Sequence, residues 1–317
     1  MSRSRLLKGG AWLTAGNALS ASASFVRNIV IARLVSIEDF GIVVLLSLTL
    51  SVIEMVSNLA VDRLLVQAPD GDAPKLQSVA HALQVVRGLA GGVVMFFVAD
   101  ALASVFKIPQ ATWAFQVLAV VPVIRSFTHL DTVRYQRDLR YGPTFWVDSF
   151  PQGVSLLCAA LFAYLLRDYS AIVWATLAMV LTQVAATHYL SMRPYRWSWD
   201  GACIRRVVAF GWPLLANGLL MFAILQGDKA VLAIAFTPEI VGWYGAAFML
   251  SMAPSMLVTS VIQGLFLPVL ARDQEQPNEF RNRYAFVVQI CLVIALATGA
   301  FFAIFGPELL LLLFGRA

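Results

Sequence analysis

The chain is 317 residues long, 60% hydrophobic and only 13% charged, with 23 Lys and Arg against 18 Asp and Glu. That balance excludes an ordinary soluble domain, in which about a quarter of residues are charged. The formal net charge of +5 is spread over short loops, so it points to membrane orientation, and no nucleic-acid partner is expected.

Runs of about 20 apolar residues predict nine membrane helices, near 10–33, 40–61, 79–100, 110–130, 145–166, 171–192, 207–235, 242–268 and 284–305. Fifteen basic residues fall in alternate loops: Arg3, Arg5 and Lys8; Arg63 and Lys75; Arg134, Arg137 and Arg140; Arg193, Arg196, Arg205 and Arg206; Arg272, Arg281 and Arg283. The opposite loops hold Lys107, Arg167 and Arg316, and five basic residues lie inside spans. Positive loops stay in the cytoplasm. The expected protein is therefore all-α and polytopic, in a bacterial inner (plasma) membrane, with its amino terminus cytoplasmic.

The first span has the charged start and the Ala21-Ser22-Ala23 triplet of a cleavable leader. Thr14 and Asn17 interrupt its apolar stretch, however, and it continues to Arg33, so it reads as an uncleaved membrane helix. Cys158, Cys203 and Cys291 read as reduced structural thiols. His81, His129 and His188 share no short spacing, and no metal site is expected. The loops are too short for a soluble catalytic domain. No Gly-Lys dipeptide is present and hence no phosphate-cradling P-loop; no hydrolase or metalloprotease motif appears. Neither an enzyme nor a cofactor is expected.

Polar residues recur inside the spans at helical spacing. Thr14, Asn17, Ser20, Ser24, Arg27 and Asn28 share one side of the first helix; Ser47, Ser51, Glu54 and Asn58 share one side of the second. His81, Gln84, Arg87 and Gly88 form a third stripe, Asp148, Gln152 and Ser155 a fourth. The seventh helix carries Asn217 and Asp228, with Lys229 adjacent. A charge at the bilayer centre costs about 2.5–3.5 kcal/mol on insertion scales, so such groups face protein or water. Small hydroxyls also hold membrane helices together, and Gly88 with Gly92 reads as close packing. Arg27 and Arg87 either line a cavity or pair with Glu54 or Asp148. Asp228 and Lys229 either face that cavity or pair with neighbouring helices. Arg33 and Arg125 read as snorkelling anchors. Pro122, Pro151, Pro213 and Pro254 interrupt four spans, where a missing backbone donor bends a helix.

The sequence repeats with an offset of 201 residues. ARLVSIEDFG (32–41) falls on AIAFTPEIVG (233–242), so that Ala32, Glu38 and Gly41 meet Ala233, Glu239 and Gly242. In both copies a long helix ends, a short acidic turn follows, and a Gly opens the next span. A six-helix unit returns the chain to its starting side, so the copies insert in parallel. The expected domains are 1–200, a complete six-helix bundle, and 201–317, the first three helices of a second bundle that the chain leaves incomplete.

ARLVSIEDFG, GDKAVLAIAFTPEIVGWYGAA (227–247) and the basic loop RYQRDLRYGP (134–143) resemble the polysaccharide transporter family of the multidrug/oligosaccharidyl-lipid/polysaccharide flippase superfamily. The resemblance runs over essentially the whole chain. It implies two six-helix bundles around a central cavity, alternating access, and export of undecaprenyl-pyrophosphate-linked oligosaccharide units for O-antigen, capsule or exopolysaccharide synthesis. It also implies a polyprenyl-linked oligosaccharide and the lipid bilayer as partners, alongside a polysaccharide polymerase and glycosyltransferases. On that reading Arg27 and Arg87 attract the pyrophosphate, while Asn17, Ser24, Ser51, Asn58 and Gln152 bind sugar. Glu54, Asp148, Asp228 and Lys229 are the candidates for proton or ion coupling. Two other readings stay open: a drug or organic-cation antiporter of the same superfamily, and a non-transporting fragment or split subunit.

Overall fold

A computed structural model describes residues 3–138, 140–261 and 277–314. The side chains of Arg3, Arg5, Lys8 and Thr14, together with Arg272 and Arg316, lie outside the described residues. Among the described residues every regular element is helical: α1 (Arg3–Leu34), α2 (Ile37–Val56), α3 (Val61–Gln67), α4 (Pro74–Val105), a 3-10 turn (Pro109–Ala111), α5 (Thr112–Leu118), α6 (Val120–Arg125), α7 (Thr132–Arg137), α8 (Tyr141–Leu166), α9 (Ser170–Tyr189), α10 (Gly201–Ala235), α11 (Pro238–Val261) and α12 (Pro277–Phe314). α1 runs unbroken through Ala21-Ser22-Ala23.

Six described helices, rather than the nine expected, are long and apolar enough to cross a membrane: α2, α4, α8, α9, α10 and α12. α1 has the length, but its Ser and Asn stripe dilutes its apolarity. The fourth expected span is broken. α5 ends at Leu118 and α6 begins at Val120, because Pro122 has no N–H to return to the Leu118 carbonyl. The eighth expected span is seen as α11, and its remainder, 262–268, lies outside the described residues. Two short helices, α3 and α7, sit in the basic loops, where the apolar pattern predicts no element.

The chain divides into two compact units, residues 1–243 and 244–317. In the first, α1 packs along α8 and α8 along α9, while α2 lies on α10, and α4 on α5 and α6. Large apolar side chains such as Phe97, Leu157 and Ile224 face outward, which suits lipid and not water. In the second unit α12 is a 38-residue helix containing Pro307, with Leu292, Val293 and Leu296 exposed.

The repeated turn has a local cause. Ser36 caps α2: its Oγ accepts from Asp39 N–H at 3.1 Å and donates to the Asp39 carboxylate at 2.7 Å. Glu38 and Asp39 occupy the first turn, where the helix dipole favours negative charge. In the second copy Pro238 opens α11, with Glu239 in the first turn. The two turns then meet each other. A Cβ on Gly41 would collide with the Pro238 carbonyl, and a Cβ on Gly242 with the Ile37 carbonyl. Since 37 and 41 become 238 and 242 at the 201-residue offset, the contact is reciprocal, as across a two-fold axis.

The connectors at the basic end are tied down by charge. Arg137 gathers the carbonyls of Leu65, Val66, Ala68 and Pro69 at 2.6–3.2 Å, satisfying the orphan acceptors at the carboxyl end of α3. Arg193 reaches the Asp72 carbonyl at 2.7 Å and its carboxylate at 3.1 Å. Asp200 caps α10 by accepting from Cys203 N–H at 3.0 Å and pairs with Lys75, which with the Cys203 amide draws the Asp200 carboxyl down to about 2.

Candidate functional site

A cavity of about 440 Å³ lies inside the first unit, towards the end that carries the basic loops. Its walls differ in chemistry. One is cationic: Arg87 from α4 and Arg125 from the end of α6. The facing wall is made of amides and a carboxylate: Asp148 and Gln152 from α8, with Met179 and Gln183 from α9. Asn58, Asp62, Gln84, Thr128 and Leu130 fill the floor near the connectors. Aromatic side chains are absent from the lining among the described residues.

Glycines bring the cationic wall together. A Cβ on Gly88 would strike Ser126 and the Pro122 carbonyl, and one on Gly92 would strike Val123 and the Ala119 carbonyl. The expected close packing at Gly88 and Gly92 is thus what lets α4 touch the α5–α6 segment and sets Arg87 beside Arg125. Gln84 and Thr128 both donate to the Arg125 carbonyl, at 3.3 and 2.7 Å, fixing the end of α6.

Arg125 is not the snorkelling anchor that its position near a helix end suggests. It pairs with Glu54 at 2.6 Å, both side chains largely buried, and it lines the cavity. Glu54 therefore answers Arg125, and neither Arg27 nor Arg87. Arg87 donates to Asn58 Oδ1 at 3.4 Å; the same oxygen accepts from Ala60 N–H at 2.8 Å. That bond holds Ala60 in the left-handed region, φ 47°, at the start of α3, a conformation costly for a residue with a Cβ. Nε of Arg87, Nε of Arg125, Oε1 of Glu54 and Oε1 of Gln152 are buried without a hydrogen-bond partner among the described residues. The carboxylate of Asp148 has no partner among the described residues. Buried polar groups are normally satisfied, so the unmet atoms of the lining residues Arg87, Arg125 and Gln152 mark a place for polar guests.

Of the residues singled out by sequence, Arg87, Asn58, Asp148 and Gln152 come together here. Arg27 lies behind the wall: it donates to Ser155 Oγ at 3.0 Å, to Ser24 Oγ at 3.2 Å and to Met179 Sδ at 3.8 Å, pinning α1 to α8 and α9. Ser51 turns back to its own helix, bonding the Ser47 carbonyl at 2.8 Å. Asn17 is exposed on α1. On α10, Asp228 accepts from Lys229 N–H at 2.8 Å and Lys229 Nζ donates to Gln226 at 2.7 Å; neither lines the cavity. Sequence reasoning missed Gln183 and Asp62. Gln183, four residues beyond Met179 on α9, was legible as a polar residue on the face of Met179 within a largely apolar span.

The architecture matches solved transporters. An inward-facing multidrug resistance MATE family transporter of the MOP superfamily aligns with TM-score 0.68 and 17% identity, covering 93% of this chain and 72% of that one. The MATE multidrug transporter DinF-BH aligns with TM-score 0.59 and 17% identity, covering 100% of this chain and 76% of that one. In sequence the chain is 17% identical over 294 residues to the lipopolysaccharide biosynthesis protein WzxC of Escherichia coli (strain K12), over 92% of this chain and 60% of WzxC. The chain thus spans about 60% of the length of this curated relative. With the fold of a MOP-superfamily transporter, and with residues 30–317 matching the profile described as "Polysaccharide biosynthesis protein", this multi-pass membrane chain belongs to the polysaccharide biosynthesis protein family.

Proposed function

We propose that the protein is a flippase for an undecaprenyl-pyrophosphate-linked oligosaccharide, moving the glycan head group from the cytoplasmic to the periplasmic leaflet of a bacterial inner membrane. The amino terminus is cytoplasmic in this reading. Residues 1–200 and 201–317 are the two repeat units in this reading, and the cavity lies within the first. One observation carries the proposal: two guanidinium groups, Arg87 and Arg125, share a cavity with Gln152, Gln183 and Asp148, and no aromatic ring lines it among the described residues. Guanidinium forks suit phosphate oxygens; amides and carboxylates suit sugar hydroxyls, which cost about 4–8 kcal/mol each when taken unpaired into hydrocarbon. The polyprenyl tail stays in lipid. A flat organic cation would instead be served by aromatic faces. Asp148, without a counter-ion among the described residues, is the group we assign to coupling by proton or cation.

The test is complementation of a flippase-deficient strain, with surface polysaccharide as the readout. The wild-type gene should restore the polymer; Arg87→Ala at equal membrane abundance should not, and Arg87→Lys should restore part of it. Equal export by Arg87→Ala, or drug resistance conferred without any polysaccharide, would exchange this reading for the antiporter.

A further inference from the structure

The three histidines, which are all the chain has, sit on α4, on the connector between α6 and α7, and on α9, and they meet at the basic end of the first unit. The rings of His81 and His129 are 5.0 Å apart, and those of His129 and His188 are 5.2 Å apart. Tyr195, from the connector that joins α9 to α10, packs against all three at 4.3–5.4 Å.

Their ring nitrogens are already committed. His81 Nε2 accepts from Leu130 N–H at 3.0 Å while Nδ1 faces the Arg196 carbonyl at 3.3 Å. His129 Nδ1 accepts from Asp131 N–H at 3.1 Å while Nε2 faces the Arg193 carbonyl at 3.0 Å. Each imidazole therefore has one tautomer, neutral, that donates to the α9–α10 connector and accepts from the turn at 130–131. Both nitrogens of both rings are used, so the cluster does not hold a metal.

We propose that His81 and His129 form a proton-operated clasp: while neutral they fasten the connector between the two repeats to the back of the cavity wall, and protonation releases it. The reason is geometric. A proton on His81 Nε2 or His129 Nδ1 sets donor against donor, leaving a buried backbone N–H unsatisfied, which is expensive.

One neighbouring carboxylate, Asp131, attracts the imidazolium, but it is already engaged. It accepts from Met192 and Arg193 N–H at 2.8 and 3.1 Å and from Arg134 at 2.9 Å. Burial alone would raise its carboxyl, but those donors outweigh burial and hold it below the usual range. The Arg134 and Arg193 guanidiniums nearby are tied to Asp72 as well as to Asp131. His188 donates to the Phe127 carbonyl at 2.9 Å, and Tyr195 offers a phenol, not a charge. His129 also lies between Thr128 and Leu130, two lining residues of the cavity, so the clasp and the wall move as one piece of backbone.

Hydrogen exchange on the purified full chain in lipid nanodiscs tests this. After correction for intrinsic chemical exchange, segments 128–133 and 190–198 should exchange about tenfold faster or more at about pH 5 than at about pH 8, with the rest of α8 and α9 unchanged. Gln donates and accepts without titrating, so the double variant His81→Gln/His129→Gln should remain protected at both pH values. Flat exchange in the wild type, or a pH step that survives in the double variant, overturns the clasp. Should the variant fail to fold, imidazole carbon resonances of the wild type decide. Two rings that protonate together with the exchange step support the clasp; rings titrating near about 6.5 with no change in exchange sink it.

Discussion

The two ends of the first unit are closed by opposite kinds of chemistry. At the basic end, connectors are lashed by guanidinium, carboxylate and imidazole groups, each bond directional and most of them charged. At the other end, Gly41 and Gly242 let two turns rest backbone on backbone, beside a few mostly neutral bonds such as Trp113 Nε1–H to the Tyr169 hydroxyl. Directional polar contacts can be made and broken by protons or by a charged guest. A steric fit has no such handle: it is either seated or apart. The tunable part of the molecule is therefore the end that holds the cavity.

The glycine end should be the more brittle. Gly41→Val or Gly242→Val should cost at least about 3 kcal/mol and remove folded protein from the membrane. Gly153→Ala and Gly218→Ala, which meet nothing within 4 Å, should be neutral or stabilising by up to about 1 kcal/mol. Melting of the detergent-purified variants separates the two cases, and a tolerated Gly41→Val would show that the seam is looser than its geometry. Next in size is Arg87→Ala: export should drop about a hundredfold, as when one oriented donor is removed from a buried charge site, while the melting temperature barely moves.

Glu54→Gln should come third. It leaves Arg125 charged and largely buried, for a loss of about 1–3 kcal/mol, and Arg125→Gln in the same background should recover part of it. At the basic end, acid should act in two stages. Asp131's carboxyl lies below its unfolded value, so its contribution is fully present above about pH 4 and fades as pH falls through the lower folded value. The histidine clasp should open earlier, and an unfolding midpoint measured along the acid limb should show both steps. Smallest of all is Ser51→Ala, expected within about 0.5 kcal/mol and without effect on export, because that hydroxyl serves its own helix.

Much of this is readable in the sequence. Apolar runs locate each long helix, since hydropathy is a local property, but not its ends: α12 spans Pro277–Phe314 where 284–305 is expected. The 201-residue echo names Gly41 and Gly242 as equivalent, but not that they touch; that is a fact of packing. The polar stripes are visible, yet stripe membership does not say which neighbour a side chain meets. Arg27 and Arg87 look alike in sequence; one is held by Ser155 and Met179 and the other faces the cavity. Arg125 looks like an anchor because its partner, Glu54, is 71 residues away. The histidines share no short spacing, and it is tertiary structure that gathers them.

The Arg137 guanidinium carries a consequence for biosynthesis. It completes the turn after α3, yet it is encoded 72 residues after Leu65, whose carbonyl it holds. At about 5–20 residues per second, the ribosome needs roughly 4–14 s to deliver it. Through that interval the α3 turn waits with bare carbonyls beside the newly inserted second helix, and the loop sets only when α7 emerges. An interruption of synthesis in that window would leave a chain whose early helices are inserted but whose first basic connector has nothing to fasten it.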